Sequence, residues 1–331
     1  MGGGSSKQLA ALTYDIPIFG AAAAGKSTVF KAIKITKQGG FTDEEKSMHA
    51  SKVQVSLFQL ARSLLEAAQK EGSSLGEDVA KDYLAATVTE DTNKIGENTL
   101  TSLQGFWARE DVLAAYELCA MKSNSSDYIV HNSARLLQKD AVSTDTDVLR
   151  FRLSTKFQDA LSIHIESDNV YLRFTDLGGQ RVHRKTWLEV GSDPNRNIKF
   201  MIYVIALDGF SKKMEEGDMN MMQEALLIFA LLANKYFPEA NFQIFLNKSD
   251  LLNPTLESHS FKAVFPAFEK DEKNPDDVLE FLKSQVINSL ENNASGRVSF
   301  STTNATDVTM MEKIVDKLSV EIIKGDVKQN F

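Results

Sequence analysis

The stretch from Gly20 to Ser27, Gly-Ala-Ala-Ala-Ala-Gly-Lys-Ser, constrains this chain more than any other. It reads GxxxxGKS between an apolar run, Ile16 to Phe19, and a helical pattern beginning at Thr28. A turn leaving a strand there aims successive backbone N–H groups inward, and the next helix adds its positive N-terminal end. A polyphosphate is then held without any base being read. The cradle spans Ala23, Ala24, Gly25, Lys26, Ser27 and Thr28. Lys26 would reach the β and γ phosphates, and the Ser27 hydroxyl would ligate Mg2+.

The flanking sequence gives this loop its setting. A first strand, loop and helix run from Tyr14 to about Lys37, with Pro17 an awkward residue for any strand other than an edge or a bulge. From Phe41 to about Asp140 there is helical spacing and no alternating strand, as in Val55, Phe58, Leu60, Leu64 and Ala68, with Glu66, Lys70 and Glu71 as solvated positions. Asp111 to Leu118 and Ser133 to Leu137 predict further helices, and Lys122 to Asp127 a polar loop. The α/β pattern resumes at Asp147. Leu161–Ile165 and Val170–Phe174 alternate as a hairpin, and Lys199–Leu207, Phe242–Leu246 and Val298–Phe300 are apolar runs suited to strands covered on both faces. Helical patterns at Met219–Ala233, Val278–Leu290 and Val308–Ile323 separate the later runs. Such alternation implies a parallel sheet with its ligand at the carboxyl ends of the strands.

Further motifs fall at those ends. Asp176-Leu177-Gly178-Gly179-Gln180 follows a strand; the Asp176 carboxylate would hold Mg2+ through water, Gly179 would let backbone approach a γ phosphate, and Gln180 would orient attacking water. Asn247-Lys248-Ser249-Asp250 follows another. The Asp250 carboxylate accepts from the two N–H donors of a guanine edge, where adenine presents a repelling acceptor. Asn247 would brace the loop, and the Lys248 stem would cover the ring. In Asn304-Ala305-Thr306-Asp307 the Ala305 N–H suits the guanine oxygen; a helix N-cap at Thr306 is compatible with that reading.

Composition limits the alternatives. A net charge of −8 argues against a general nucleic-acid binder. The single cysteine, Cys119, leaves no intramolecular disulfide and suits a reducing cytosol. The longest apolar run, Ala225 to Ala233, falls far short of the ~18 residues of a membrane helix. Met1-Gly2-Gly3-Gly4-Ser5-Ser6 fits the pattern for myristoylation of Gly2 and equally a flexible Gly/Ser tail. A cytoplasmic protein is expected, attached at most reversibly to the cytoplasmic face of a membrane.

The phosphate loop, the helical insert, Asp147-Val148-Leu149-Arg150-Phe151-Arg152-Leu153-Ser154-Thr155, DLGGQR, NKSD and TNAT stand in the order found in heterotrimeric G-protein α subunits, and the chain resembles that family from about Tyr14 onwards. FTDEEK at Phe41, Phe106-Trp107, His131-Asn132-Ser133-Ala134, ALD at Ala206 and Phe331 extend the likeness. The resemblance implies a P-loop GTPase fold, an α/β domain with a mostly parallel sheet built from these six β-type runs, interrupted by an all-helical domain. On this reading 1–13 is an N-terminal segment, 14–40 and 147–331 form the GTPase domain, and 41–146 is the insert.

The same resemblance implies a switch that binds GTP or GDP with Mg2+, hydrolyses GTP, and relays signals from a receptor to effectors in company with a βγ dimer. Arg152 matches the arginine finger, Gln180 the water-orienting glutamine and Thr155 the threonine that ligates Mg2+ beside Ser27. Ser133, Leu149 and Arg150 match positions lining the nucleotide between domains, and Gly179, Arg184 and Glu224 a set that links the loop after DLGGQ to the neighbouring helix when GTP is bound.

Several residues depart from the family. Where its loop reads GxGESGKS, Ala22 here replaces a glycine beside the γ phosphate, and Ala23 removes the acidic partner of Arg152, so slow hydrolysis is expected. Asn132 replaces an aspartate that reaches the NKxD lysine, which predicts faster GDP release. Lys156-Phe157-Gln158 replaces TGI in the effector-facing switch. The segment before the first strand is shorter than the helix that lies on βγ, and the end lacks the cysteine some members carry, so coupling to βγ and receptor is the least supported expectation. The alternative is a nucleotide-loaded interaction module with little turnover, not coupled to βγ. An ATP-dependent kinase is disfavoured by Asp250.

Overall fold

Six strands form one sheet in the order β2-β3-β1-β4-β5-β6 in the computed structural model, which describes residues 12–70, 95–119, 123–151, 159–165, 170–177, 187, 189–190, 193, 196, 198–214, 219–291 and 294–329. The chain divides into two compact units, Met1–Gln38 with Thr155–Phe331, and Gly39–Ser154. Strand β1, Leu12–Gly20, carries Tyr14, Ile16, Ile18 and Phe19 almost wholly out of water and leads through the phosphate loop into helix α1, Lys26–Gln38.

The second unit is all helix among its described residues: α2 Asp43–Lys70, α3 Glu97–Trp107, α4 Glu110–Leu118, α5 Asn124–His131, α6 Ser133–Leu136 and α7 Asp145–Arg150. Its core runs along α2, but through Val53, Leu57, Ala61, Leu64 and Leu65, while Val55 and Leu60 are only half-buried. The expected stripe is therefore rotated at its start. Phe106, Trp107 and Tyr116 join that core, with Trp107 edge to face against each of the other two rings, and buried Gln54 donates to the carbonyl oxygens of Leu136 and Gln138, tying α2 to the turn after α6.

Two expectations change in this unit. The polar loop expected over Lys122–Asp127 is helical from Asn124, because Ser123 accepts from the Ser126 amide while Ser126 returns the bond to the Ser123 amide. That capping box makes a helix start out of a run of polar residues. The unit also continues through α7 to Ser154, past the resumption of the α/β pattern expected at Asp147.

The first unit resumes with β2, Asp159–Ile165, antiparallel to β3, Val170–Asp176. Strands β4, Phe200–Ala206, β5, Asn241–Asn247, and β6, Val298–Thr303, are parallel and pair in sequence from β1 outward. Helix α8, Met221–Leu231, α9, Leu252–Ser258, α10, Pro275–Asn288, and α11, Val308–Gln329, complete the described α-helices. The continuous FMIYVIA of β4 and the five buried residues Phe242–Leu246 of β5 fit strands covered on both faces. Phe229 of α8 packs tilted against Tyr203 and edge to face against Phe242 of the sheet, and the Tyr203 hydroxyl donates to the Ala225 oxygen at 2.6 Å.

Pro17 lies in a central strand and not at an edge. Its register partner on β3 is Thr175, whereas the ladder to β4 begins one residue later, at Ile18, so one side of β1 is open where the proline stands. Two residues earlier, buried Asp15 receives both arms of the Arg173 guanidinium at 2.6 and 2.8 Å, and this bidentate pair fixes the β1–β3 register.

Candidate nucleotide site

The phosphate loop is shaped by backbone conformations that few residues adopt. Gly20 ends β1 at φ 149°, where a Cβ would lie 2.4 Å from the Val204 oxygen; Gly25 sits at φ 98°. Ala23 between them takes the left-handed region at φ 56° and carries a Cβ there, a strained choice. The Ala24 amide turns back to the Ala21 oxygen at 3.4 Å, and the Val29 amide opens α1 on the Gly25 oxygen at 2.9 Å. Lys26 is buried, and its Nζ donates to the Ala21 oxygen at 2.8 Å, so the ammonium closes over the loop. Ser27 and Thr28 stand half-buried at the positive end of the helix.

The loop after β5 is joined to this one. Asn247 is 1% exposed; its Nδ2 donates to the Ala24 oxygen at 3.1 Å, and its Oδ1 accepts from the Thr303 hydroxyl and the Ala305 amide, each at 3.1 Å. One side chain thus fastens the ends of β1, β5 and β6. The Ala305 N–H expected at the guanine oxygen is engaged by Asn247. Asp307 rather than Thr306 caps α11, since its Oδ1 accepts from the Met310 amide at 2.9 Å; Thr306 instead turns to Asn304. Asp250 is exposed on the turn Ser249–Leu251.

Lys248 adopts φ 63°, and its ammonium lies 3.2 Å from both oxygens of Asp208. Asp208 is 3% exposed on the turn Leu207–Ser211 after β4, and it also receives the Lys212 ammonium. Burial pushes the Lys248 ammonium below the ordinary lysine value, with Asp208 pulling the other way. Sequence reasoning gave Asp208 no role. The signal was its place: a carboxylate at the carboxyl end of a strand, two residues past β4 as Asp176 is the last residue of β3.

Asp176 ends β3 and is buried. Ser27 and Asp176 offer a hydroxyl and a carboxylate, the hard oxygen donors that Mg2+ prefers, so the donor chemistry fits that ion. No group of three or more His, Cys, Asp or Glu placed to hold a metal occurs among the described residues. Gly2, Arg152, Thr155, Gly179, Gln180 and Arg184 lie outside the described residues. Glu224 is buried on α8.

Within the helical unit Ser133 and Leu149 are buried, and the exposed Arg150 guanidinium lies 5.6 Å from the centre of the Tyr128 ring. Asn132 donates to the Tyr128 oxygen at 2.8 Å. Beside them Asp147 takes both arms of Arg135, at 2.7 and 2.8 Å, and the Tyr128 hydroxyl at 2.7 Å. Burial alone would raise the Asp147 carboxyl, but Arg135, Tyr128 and Thr144 together hold it down to about 2. The Tyr128 phenol is pushed up to about 12 by burial and by that carboxylate.

A glycine-bounded loop between β1 and α1, laced to the loops that end β5 and β6, in a chain whose α/β unit is interrupted in sequence by a helical one, defines a phosphate-loop nucleotide-binding protein. A family model described as G-protein alpha subunit matches residues 4–323, and the chain belongs to that family. It is 27% identical over 320 residues to the guanine nucleotide-binding protein alpha-2 subunit of Mycosarcoma maydis, covering 94% of this chain and 88% of that one. To the G(o) subunit alpha of Lymnaea stagnalis it is 26% identical over 332 residues, 96% and 90% of the two chains. The alpha-1 subunit of Caenorhabditis briggsae is 26% identical over 323 residues, 94% and 88%.

Proposed function

We propose that this chain is a signalling switch that binds GTP and GDP and hydrolyses GTP. The observation that carries the reading is Asn247, which fastens the NKSD loop to the phosphate loop and to Ala305, so that phosphate and base recognition share one frame. Lys26, Ser27 and the loop amides hold the phosphates, Asp250 selects guanine, and Lys248 covers the base. Ser27, Asp176 and Thr155 would hold Mg2+, which neutralises phosphate charge when bound. In hydrolysis Gln180 orients water and Arg152 stabilises the charge that develops in the transition state. Family membership supports these roles. Receptor, βγ dimer and effectors are its partners on this reading, at the cytoplasmic face of a membrane if Gly2 is myristoylated.

The test is single-turnover hydrolysis of preloaded GTP with Mg2+, comparing the natural chain with Arg152→Ala and Gln180→Leu. Hydrolysis by the natural chain, slowed ~10³-fold or more in both variants, is expected. Equal retention of GTP by all three favours the second reading, a nucleotide-loaded interaction module with little turnover. The alanine-filled loop, with Ala23 at φ 56°, is the observation behind it. Competition of ATP against GTP tests the base.

A further inference from the structure

We propose that Asp208 is a positioning residue for nucleotide retention: it holds the Lys248 ammonium from inside the nucleotide-binding unit, and Lys212 competes for the same carboxylate. The inference rests on the guanine-nucleotide reading above. Lys248 stands in the left-handed region, where side-chain direction is set by the tight turn, and both carboxylate oxygens of Asp208 lie 3.2 Å from its ammonium. A bidentate approach of this kind fixes the end of a long side chain that would otherwise sweep many rotamers. With the ammonium anchored, the four-carbon stem is held along one line across the loop, the posture a lysine needs to lie over a purine face.

Asp208 is itself immobilised. It is 3% exposed, and its backbone oxygen accepts from the Ser211 hydroxyl at 2.9 Å, closing the turn Leu207–Ser211. Lys212, whose side chain is 44% exposed, reaches the same Oδ2 from one turn further on. Two ammonium groups therefore share one buried carboxylate, and each weakens the other's hold on it. The segment that carries Lys212 is tied to the first turn of α8, where the Met221 amide donates to the Lys212 oxygen at 3.0 Å. Whatever shifts Lys212 alters how firmly Lys248 is held, and so how long a nucleotide stays.

The experiment follows release of a fluorescent GDP analogue from the full-length natural chain and from Asp208→Asn, Asp208→Glu, Lys212→Met, Lys248→Met and the Asp208→Asn/Lys248→Met pair. Asp208→Asn is expected to speed release about ten-fold, with Asp208→Glu recovering part of the loss. Lys212→Met is expected to slow release about two- to five-fold, an effect opposite in sign to general damage. The double variant should release no faster than Lys248→Met, because Asp208 acts through that lysine. Unchanged release in Asp208→Asn, multiplying effects in the pair, or faster release in Lys212→Met overturns the proposal. If the natural chain binds no guanine nucleotide, the functional reading falls with it; if it binds and the variants behave alike, only the role of Asp208 falls.

Discussion

The Nδ2 of Asn247 donates to the backbone oxygen of Ala24 at 3.1 Å, which makes the loop after β1 and the loop after β5 one mechanical object. The same amide accepts from Thr303 and Ala305, so its donor and acceptor ends are both used in a site closed to water. Asn247→Ala leaves those partners buried and unpaired. A loss of about 2–4 kcal/mol is expected in urea unfolding, together with weaker GDP binding. Full stability with full binding would show that the two loops hold their places without this link.

Gly25→Ala tests the same junction from the other side. At φ 98° an alanine is strained, and its Cβ would stand 2.3 Å from the Asn247 Nδ2. A free side-chain end would swing away, but this one is pinned by its bonds to Ala24, Thr303 and Ala305. The variant is expected to lose about 1–3 kcal/mol and to bind GDP at least about ten-fold more weakly. Calorimetric titration with GDP reads the second effect directly.

The Asp147 cluster predicts a pH signature in the helical unit. Its carboxyl titrates near 2 in the folded chain against an ordinary 3.8. A depressed carboxylate pKa adds stability above the ordinary value, and that stability drains away as pH falls from about 4 towards 2. Arg135 is half exposed and solvent screens the pair, so the contribution is on the order of 1–2 kcal/mol. Asp147→Asn should therefore be less stable than the natural chain at pH 7, with the gap narrowing below pH ~4. A gap that stays constant across that range would assign the loss to packing instead of charge.

How much of this was legible in the sequence depends on the range of the interaction. The strands β4 and β5 declare themselves, because burial on both faces demands continuous apolar runs. The loop that joins β1 to α1 was legible through its spaced glycines, Gly20 and Gly25. What escaped were matters of phase and long-range pairing. The start of α2 turns its Val53 and Leu57 inward, a rotation too small for spacing alone to resolve. Helix α5 was hidden because its cap is made by serines that read equally well as loop. Asp208 and Lys248 stand forty positions apart, and only the parallel register of β4 and β5 brings their loops together. Arg135 and Asp147 likewise meet only through the packing of short helices.

The alanines of the phosphate loop allow the chemistry to be separated from the fold. Ala23 holds φ 56°, so Ala23→Gly relieves a steric cost of roughly 1–2 kcal/mol and gives back part of it as chain entropy. A net gain of about 0.5–1 kcal/mol in thermal or urea unfolding is expected. Ala22 precedes that strained residue and is half-buried at the loop's crest. On the proposed reading its methyl replaces the glycine that the family resemblance implies beside the γ phosphate, and would crowd the attacking water, Gln180 and Arg152. Misplacement by ~1 Å costs ~10²-fold in rate, so Ala22→Gly is expected to raise single-turnover GTP hydrolysis by about 10- to 100-fold with little change in GDP affinity. If the rate does not rise, the Ala22 methyl does not limit hydrolysis, and Ala23→Glu, which would offer Arg152 the acidic partner that the family resemblance implies, is the next substitution to test.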